Sequence, residues 1–371
     1  MPRLARDDQR LPSLDGLRAV SISLVICSHF AYAHPELSFG IIDRISDGYL
    51  GVRIFFVISG FLITTLLIEE RKQYGFVSLK NFYLRRALRL FPVQYVFVVF
   101  VYVLTVLTPA RLPLCSFVTA LTFTKNYACG EWIDGHFWSL AVEEQFYLVW
   151  PVAFLVLRDR GAMVFATALI LVAPASRVLE YVLGYRQYDW LTSNADALMV
   201  GGLLALFAAK NRGNLEEAMG WHPAAMRTVA MLLMYAPFLL GQHLVLGKFT
   251  VTFGPSLQAI CAGYLIASLA FHPYGLAFKF LNSRVVAFVG VISYSLYVWQ
   301  MPFLALPRNY GGVAEWFLKF PTDLGLVVIA ALASYCVLER PLAALRRKLR
   351  VHRADWRMET PTLQPRLNVS G

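Results

Sequence analysis

Apolar runs of about 20 residues, each bounded by charged or turn-forming positions, recur along the chain at about 16–34, 49–68, 91–108, 137–157, 162–179, 191–209, 226–245, 253–271, 285–307 and 321–340. A run of that length, rising about 1.5 Å per residue as a helix, crosses the roughly 30 Å hydrocarbon core of a bilayer. Lipid offers no hydrogen bonds to the backbone, so each run predicts an α-helix that satisfies its own peptide groups. The pattern predicts an all-α, polytopic transmembrane bundle of about ten helices. It divides the chain into a hydrophilic N-terminal arm (1–15), a transmembrane domain (16–341) and a basic tail (342–371), read as disordered, that carries RRKLR at 346–350. The tail is too short for a second folded domain. No internal repeat is evident.

The first run breaks the apolar rule in an informative way. LDGLRAVSISLVICSHF, Leu14 to Phe30, keeps Asp15 and Arg18 at one end and His29 near the other. Eleven helical steps of 100° bring Arg18 and His29 back to nearly the same face, roughly 16 Å apart along the axis. The two side chains therefore form a polar stripe on an otherwise lipid-compatible helix. The same polar residues, with no small-residue cleavage pattern after the run, predict a retained helix and not a cleaved signal peptide.

Composition agrees with the bilayer: of 371 residues, 58% are hydrophobic and only 15% charged, which excludes an ordinary soluble domain. The formal net charge of +11 needs no nucleic acid to explain it. With both termini cytoplasmic, the inner segments and adjoining helix ends hold 25 of the 34 Lys and Arg residues, as the positive-inside rule requires. Cys27, Cys261 and Cys336 fall inside spans, whereas Cys115 and Cys129 share the outer connection 109–136, where a disulfide can form. No metal-type Cys or His spacing is present.

Ionisable residues inside a membrane are costly and concentrate at functional positions. GVRIFFVISGFLIT carries Arg53 and the mid-membrane pair Ser59-Gly60, which fits close helix packing through small residues. NFYLRRALRLFP carries Arg85, Arg86 and Arg89, which suit either a topological anchor or a forked grip on phosphates. HFWSLAVEEQFYLVWP places His136 seven residues, two helical turns, before Glu143, with Glu144 beside it; Trp138, Tyr147 and Trp150 fit an interfacial aromatic belt equally well. Arg177 and Asp196 sit at the outer ends of two spans, where capping is the plain alternative.

Together these stretches resemble the acyltransferase-3 family of polytopic membrane O-acyltransferases. The likeness runs from about Leu11 to Pro341 and rests on LDGLRAVSISLVICSHF, GVRIFFVISGFLIT, FYLRRALRLFP, HFWSLAVEEQFYLVWP, ADALMVGGLLA, ISYSLYVWQMPF and LERP, in that order. Each is weak alone; their order is specific. The resemblance implies transfer of an acyl group, commonly acetyl from acetyl-CoA, to a hydroxyl of a glycan, lipo-oligosaccharide or glycosylated small molecule in a bacterial plasma membrane. It also implies a glycan or glycolipid acceptor as partner, no permanently bound cofactor, no metal and no nucleic acid. Two positions depart from the family pattern: Arg53 stands where an acid is common, and Gln300 where a histidine is common. The hydrolase-like C-terminal domain of some relatives is not expected.

Acyl transfer to an alcohol needs a base near neutrality, which imidazole supplies. His29 is therefore expected as general base or transient acyl carrier, with Glu143 or Glu144 orienting it. Arg18, Arg86, Arg89 and Arg85 are expected on the CoA phosphates, and His136, Trp138, Ser139 and Asp196 on the acceptor. A sugar or lipid transporter, with the same ionisable groups lining a pathway, is the competing reading. The topology makes a direct prediction. An engineered cysteine near Ala110 will react with an impermeant label from outside, and a reporter at Gly371 will read as cytoplasmic; outside labelling of the C-terminus would overturn the arrangement.

Overall fold

The structure, a computed structural model, describes residues 13–38, 46–185, 189–241, 244–304 and 318–348. Among the described residues it is an all-α bundle without strands. Its principal helices are α1 (Leu14–Ala33), α2 (Gly48–Tyr74), α3 (Leu79–Leu107), α4 (Phe137–Val182), α5 (Leu191–Lys210), α6 (Pro223–Leu240), α7 (Leu244–Phe271), α8 (Arg284–Val291), α9 (Ser293–Phe303) and α10 (Thr322–Ser334). From α10 the chain passes through a π-helical turn, Tyr335–Glu339, into a last helix, Arg340–Lys348. The first residues of the basic tail are thus helical; the rest of the tail, most of the N-terminal arm and the end of the 285–307 run lie outside the described residues.

Eight stretches among the described residues are long and apolar enough to cross a membrane, and the pair α8 and α9, bent by 69°, makes a ninth. One of the eight, Trp132–Val182, contains all of α4. At 46 residues, α4 would be roughly 69 Å long if straight, more than twice a bilayer core. It is not straight: Arg158 leaves the helical region at φ 54°, ψ −174°, in a charged Arg158-Asp159-Arg160 turn. Arg71 at the end of α2 ion-pairs with Asp159 and lies 4.6 Å over the Phe154 ring. Read as two spans, α4 reproduces the ten runs of the sequence. This is a multi-pass membrane protein.

Small residues set the closest crossings. A Cβ on Gly60 of α2 would lie 1.8 Å from the Leu198 carbonyl oxygen of α5, and one on Gly201 would lie 2.0 Å from that of Val57. The backbones touch there, as the Ser59-Gly60 pair suggested. On α1, Gly51 of α2 abuts the Ser21 carbonyl oxygen, 2.5 Å from where a Cβ would stand. Asp47 caps α2 by accepting from the Leu50 amide at 2.9 Å. Val99, Val106, Leu171 and Leu276 face outward, while Phe56, Phe97, Phe137, Trp150 and Phe154 fill the interior, so both surfaces of the helices are apolar, as lipid demands.

The charged centre of the bundle is Asp196 on α5. One carboxylate oxygen accepts from Arg53 of α2 at 2.5 Å, and the other from Arg177 of α4 and, at 2.6 Å, from Ser256 of α7. Arg53 also donates to Asn194 at 3.1 Å, and Arg177 to the carbonyls of Ser193 and Thr252. Cys115 and Cys129 form a disulfide across the 109–136 connection, with Cα atoms 5.9 Å apart. Nearby, Lys125 pairs with Asp134 at 2.7 Å.

Asp196→Ala will leave two guanidiniums buried without their counter-ion. Breaking a buried pair in this way costs about 3–5 kcal/mol. Arg53→Met leaves Arg177 and Asp196 matched one to one, so it will cost less. Thermal unfolding of the two variants in detergent checks the order; a more stable Asp196→Ala would refute the charge balance.

Candidate active site

Two cavities occupy the middle of the bundle, one toward each end. The first, of about 80 Å³, is lined by Arg18 of α1, Arg86 and Arg89 of α3, and Ser59, Glu143 and Tyr147, with Phe55, Phe56 and Leu140 as apolar wall. The second, of about 750 Å³, is lined by His29, His136, Trp132, Trp138, Tyr49 and Trp190, with the loop from Lys125 to Glu131 closing one side. Arg18 and His29 thus divide a single helix face between two chambers. Among the described residues, only Val52 and Tyr297 line both.

His29 has its Nδ1 3.2 Å from the side-chain oxygen of Gln300. The Gln300 amide nitrogen donates to the Tyr297 carbonyl at 3.3 Å, which turns the amide oxygen toward the histidine. An acceptor there assigns the imidazole proton to Nδ1 and leaves a lone pair on Nε2. Trp132 packs edge-on against the ring, 5.8 Å between centroids. His136 has the opposite tautomer: Nε2 donates to the Val298 carbonyl at 3.1 Å, and Nδ1 is buried without a partner.

The carboxylates are elsewhere. Glu143 accepts from Ser59 at 2.8 Å and from the Tyr147 hydroxyl at 3.1 Å, inside the arginine chamber. Glu144 follows it with one oxygen buried and unpartnered. The expectation that either acid orients His29 is corrected: that position belongs to Gln300, because α4 presents Glu143 one chamber away. Arg85 is likewise corrected. One residue from Arg86 is 100° around α3, so Arg85 turns from the chamber and pairs with Glu70 at 2.8 Å. Arg86 and Arg89, three apart, share the inward face, and Arg86 lies 5.0 Å over the Tyr147 ring. Of the residues expected at the acceptor, His136 and Trp138 line the large chamber. Ser139 instead lines the small one and bonds the Tyr297 hydroxyl at 2.5 Å. Asp196 lines neither chamber; its oxygens are committed to the helix clasp.

Asp189, on the connection between α4 and α5, lines the large chamber. Burial, with Glu180 adding to it, pushes its carboxyl up to about 7. Among the described residues no three His, Cys, Asp or Glu side chains group as metal ligands.

The sequence profile of the acyltransferase-3 family, described as an acyltransferase domain, matches residues 11–340. The chain belongs to the acyltransferase-3 family. It is 28% identical over 332 residues to the peptidoglycan O-acetyltransferase OatA of Listeria monocytogenes, covering 82% of this chain and 51% of that protein. With the O-acetyltransferase OatA of Staphylococcus aureus it shares 28% over 361 residues, 90% of this chain and 57% of the relative. The chain spans 51–59% of the length of the curated relatives it matches. No solved structure matches it.

The two departures from the acyltransferase-3 pattern have structural places. Gln300 orients His29, and Arg53 forms part of the Asp196 clasp. Sequence reasoning missed Tyr297, Ser59 and Trp132 as site residues, although all lie inside or beside the quoted motifs. Hydroxyls and aromatic rings in an apolar run carry no cost that marks them, whereas buried charges do. The chambers also predict access. Ser59→Cys and Glu131→Cys, in a background without the free thiols, will react with an impermeant maleimide from opposite membrane faces; labelling of both from one face would contradict the arrangement.

Proposed function

We propose that this chain is a membrane O-acyltransferase that moves an acyl group, most simply acetyl, from acyl-CoA to a hydroxyl of a glycan or glycosylated acceptor. The division of the Arg18–His29 face between two abutting chambers carries the reading. Arg18, Arg86 and Arg89 suit the phosphates of CoA, since guanidinium forks match phosphate oxygens. Those arginines line the chamber at the cytoplasmic end of the proposed topology, and the thin pantetheine arm then extends toward His29. The acceptor occupies the roomier aromatic chamber, whose flat Trp and Tyr faces fit sugar rings. The name of the Listeria relative supports a cell-envelope glycan as acceptor, and such a relative suits a bacterial plasma membrane.

In the reaction, the acceptor hydroxyl oxygen attacks the thioester carbonyl carbon as His29 Nε2 takes the hydroxyl proton. The new C–O bond forms, the C–S bond breaks, and the proton passes from the imidazolium to the departing thiolate, giving ester and free CoA. Gln300 holds the ring so that Nε2 faces the substrates. A transporter would use the same chambers without consuming acyl-CoA.

Purified protein will release CoA from labelled acetyl-CoA and pass the label to a cell-envelope glycan fraction. His29→Ala will reduce turnover at least about 10²-fold, the low end of general-base effects, while remaining folded. Arg86→Ala and Arg89→Ala will raise KM for acyl-CoA more than for the acceptor, and lysine will rescue only partly. Gln300→Met will lower turnover at least about fivefold, the loss of roughly one hydrogen bond, and Gln300→Glu, which keeps an acceptor oxygen, will retain most of it. Full activity in His29→Ala, or transport of a glycan with no acyl-CoA consumed, would reject the proposal.

A further inference from the structure

Asp189 stands where the chain runs from α4 into α5, and only 8% of it is exposed. Among the described residues, neither of its carboxyl oxygens has a hydrogen-bond partner. Oδ1 is sealed in the wall, so the carboxyl meets open space through Oδ2, and the space that Asp189 lines is the large chamber that also holds His29. Trp190, the next residue, caps α5, so this aspartate is placed to bond the free amides of that helix start; it bonds none. A buried carboxyl left unbonded is rare and costly in a native protein. Nor is it alone: Trp132 Nε1 and His136 Nδ1, on side chains of the same lining, are also buried without a partner.

The chemistry these groups lack is specific. Trp132 Nε1 only donates, His136 Nδ1 only accepts in the tautomer held by Val298, and Asp189, with its carboxyl up to about 7, does either. A hydroxyl both donates and accepts, so it suits all three. A carboxylate only accepts and an ammonium only donates, so each leaves part of the set unbonded. Charge points the same way for acids: among the described lining residues the one lysine or arginine, Lys125, is already paired with Asp134 at 2.7 Å, while Glu131 adds a second carboxylate. Resting on the reading of this chamber as the acceptor's, we propose that Asp189 is an acceptor-orienting residue: through Oδ2 it bonds a hydroxyl of an uncharged sugar other than the one acylated, and thereby sets which hydroxyl is turned to His29.

The first measurement needs no acyl transfer. Cellobiose, an uncharged disaccharide, is titrated into the purified full-length protein without acyl-CoA, and binding is read from tryptophan fluorescence, since Trp132, Trp138 and Trp190 line the chamber. Cellobiouronic acid and the diamino chitosan dimer are its charged counterparts. Cellobiose will bind at least about tenfold more tightly than either, and Asp189→Leu will weaken it at least about tenfold, the loss of one hydrogen bond to a carboxylate. Asp189→Asn, which still offers a donor and an acceptor, will stay within about threefold of the unmodified protein. Binding of the acid as tight as that of cellobiose, tightest binding of the diamine, no binding of any of the three, or an unchanged affinity in Asp189→Leu would overturn the assignment. The second measurement supplies acetyl-CoA and cell-envelope glycan. Asp189→Leu will raise KM for the glycan at least about tenfold while KM for acetyl-CoA holds, and NMR of the product will find the ester on more than one hydroxyl. If the ester keeps its position and the glycan KM is unchanged, the orienting role is wrong and the acyl-transfer reading stands. If cellobiose binding responds as stated but no CoA is released, the acyl-transfer reading falls and takes the orienting role with it, leaving Asp189 as a sugar-binding residue.

Discussion

A single carboxylate, that of Asp196, organises the bundle. In hydrocarbon an unpaired charge is expensive enough to reject a fold, and here one anion draws side chains from α2, α4 and α7 onto α5. Each of those helices also carries a chamber residue or packs on one that does. Val52, which lines both cavities, directly precedes Arg53. The positions are coupled by covalent geometry: α2 cannot rotate about its axis without withdrawing its guanidinium from the clasp.

Much of this was legible in the chain because lipid penalises polarity. Arg18, His29, Arg86, Arg89 and Glu143 stood out against apolar runs, and all five line a chamber. The same logic over-reached at Asp196 and Arg85, where the cost of a buried or juxtamembrane charge is offset by pairing with other protein groups and not by a ligand. Pairing is a tertiary fact. No spacing within one helix reveals that Asp196 meets Arg53 from 143 residues away, or that Gln300, from 271 residues away, takes the place beside His29 that seemed to suit a glutamate. The break at Arg158 was visible as a charged interruption between two apolar runs, and the ten runs were recovered for that reason.

The two positions read as departures from the family pattern, Arg53 and Gln300, each have defined partners here. An arginine where relatives often carry an acid adds a positive charge to the interior, and Asn194 and Asp196 accept its protons. A glutamine where relatives often carry a histidine still presents an oxygen to His29, and its amide nitrogen is spent on the Tyr297 carbonyl. Gln300 has both ends of its amide bonded, whereas Arg53 keeps its Nε buried without a partner.

The disulfide between Cys115 and Cys129 lies far from the arginines, yet Cys129 itself lines the large chamber, three residues from Trp132, which rests on the His29 ring. The wall beside that histidine is therefore finished by an oxidation and not by helix packing alone. Opening that one bond would free the loop from Cys115 to Cys129 while leaving the Asp196 clasp, which holds no sulfur, in place.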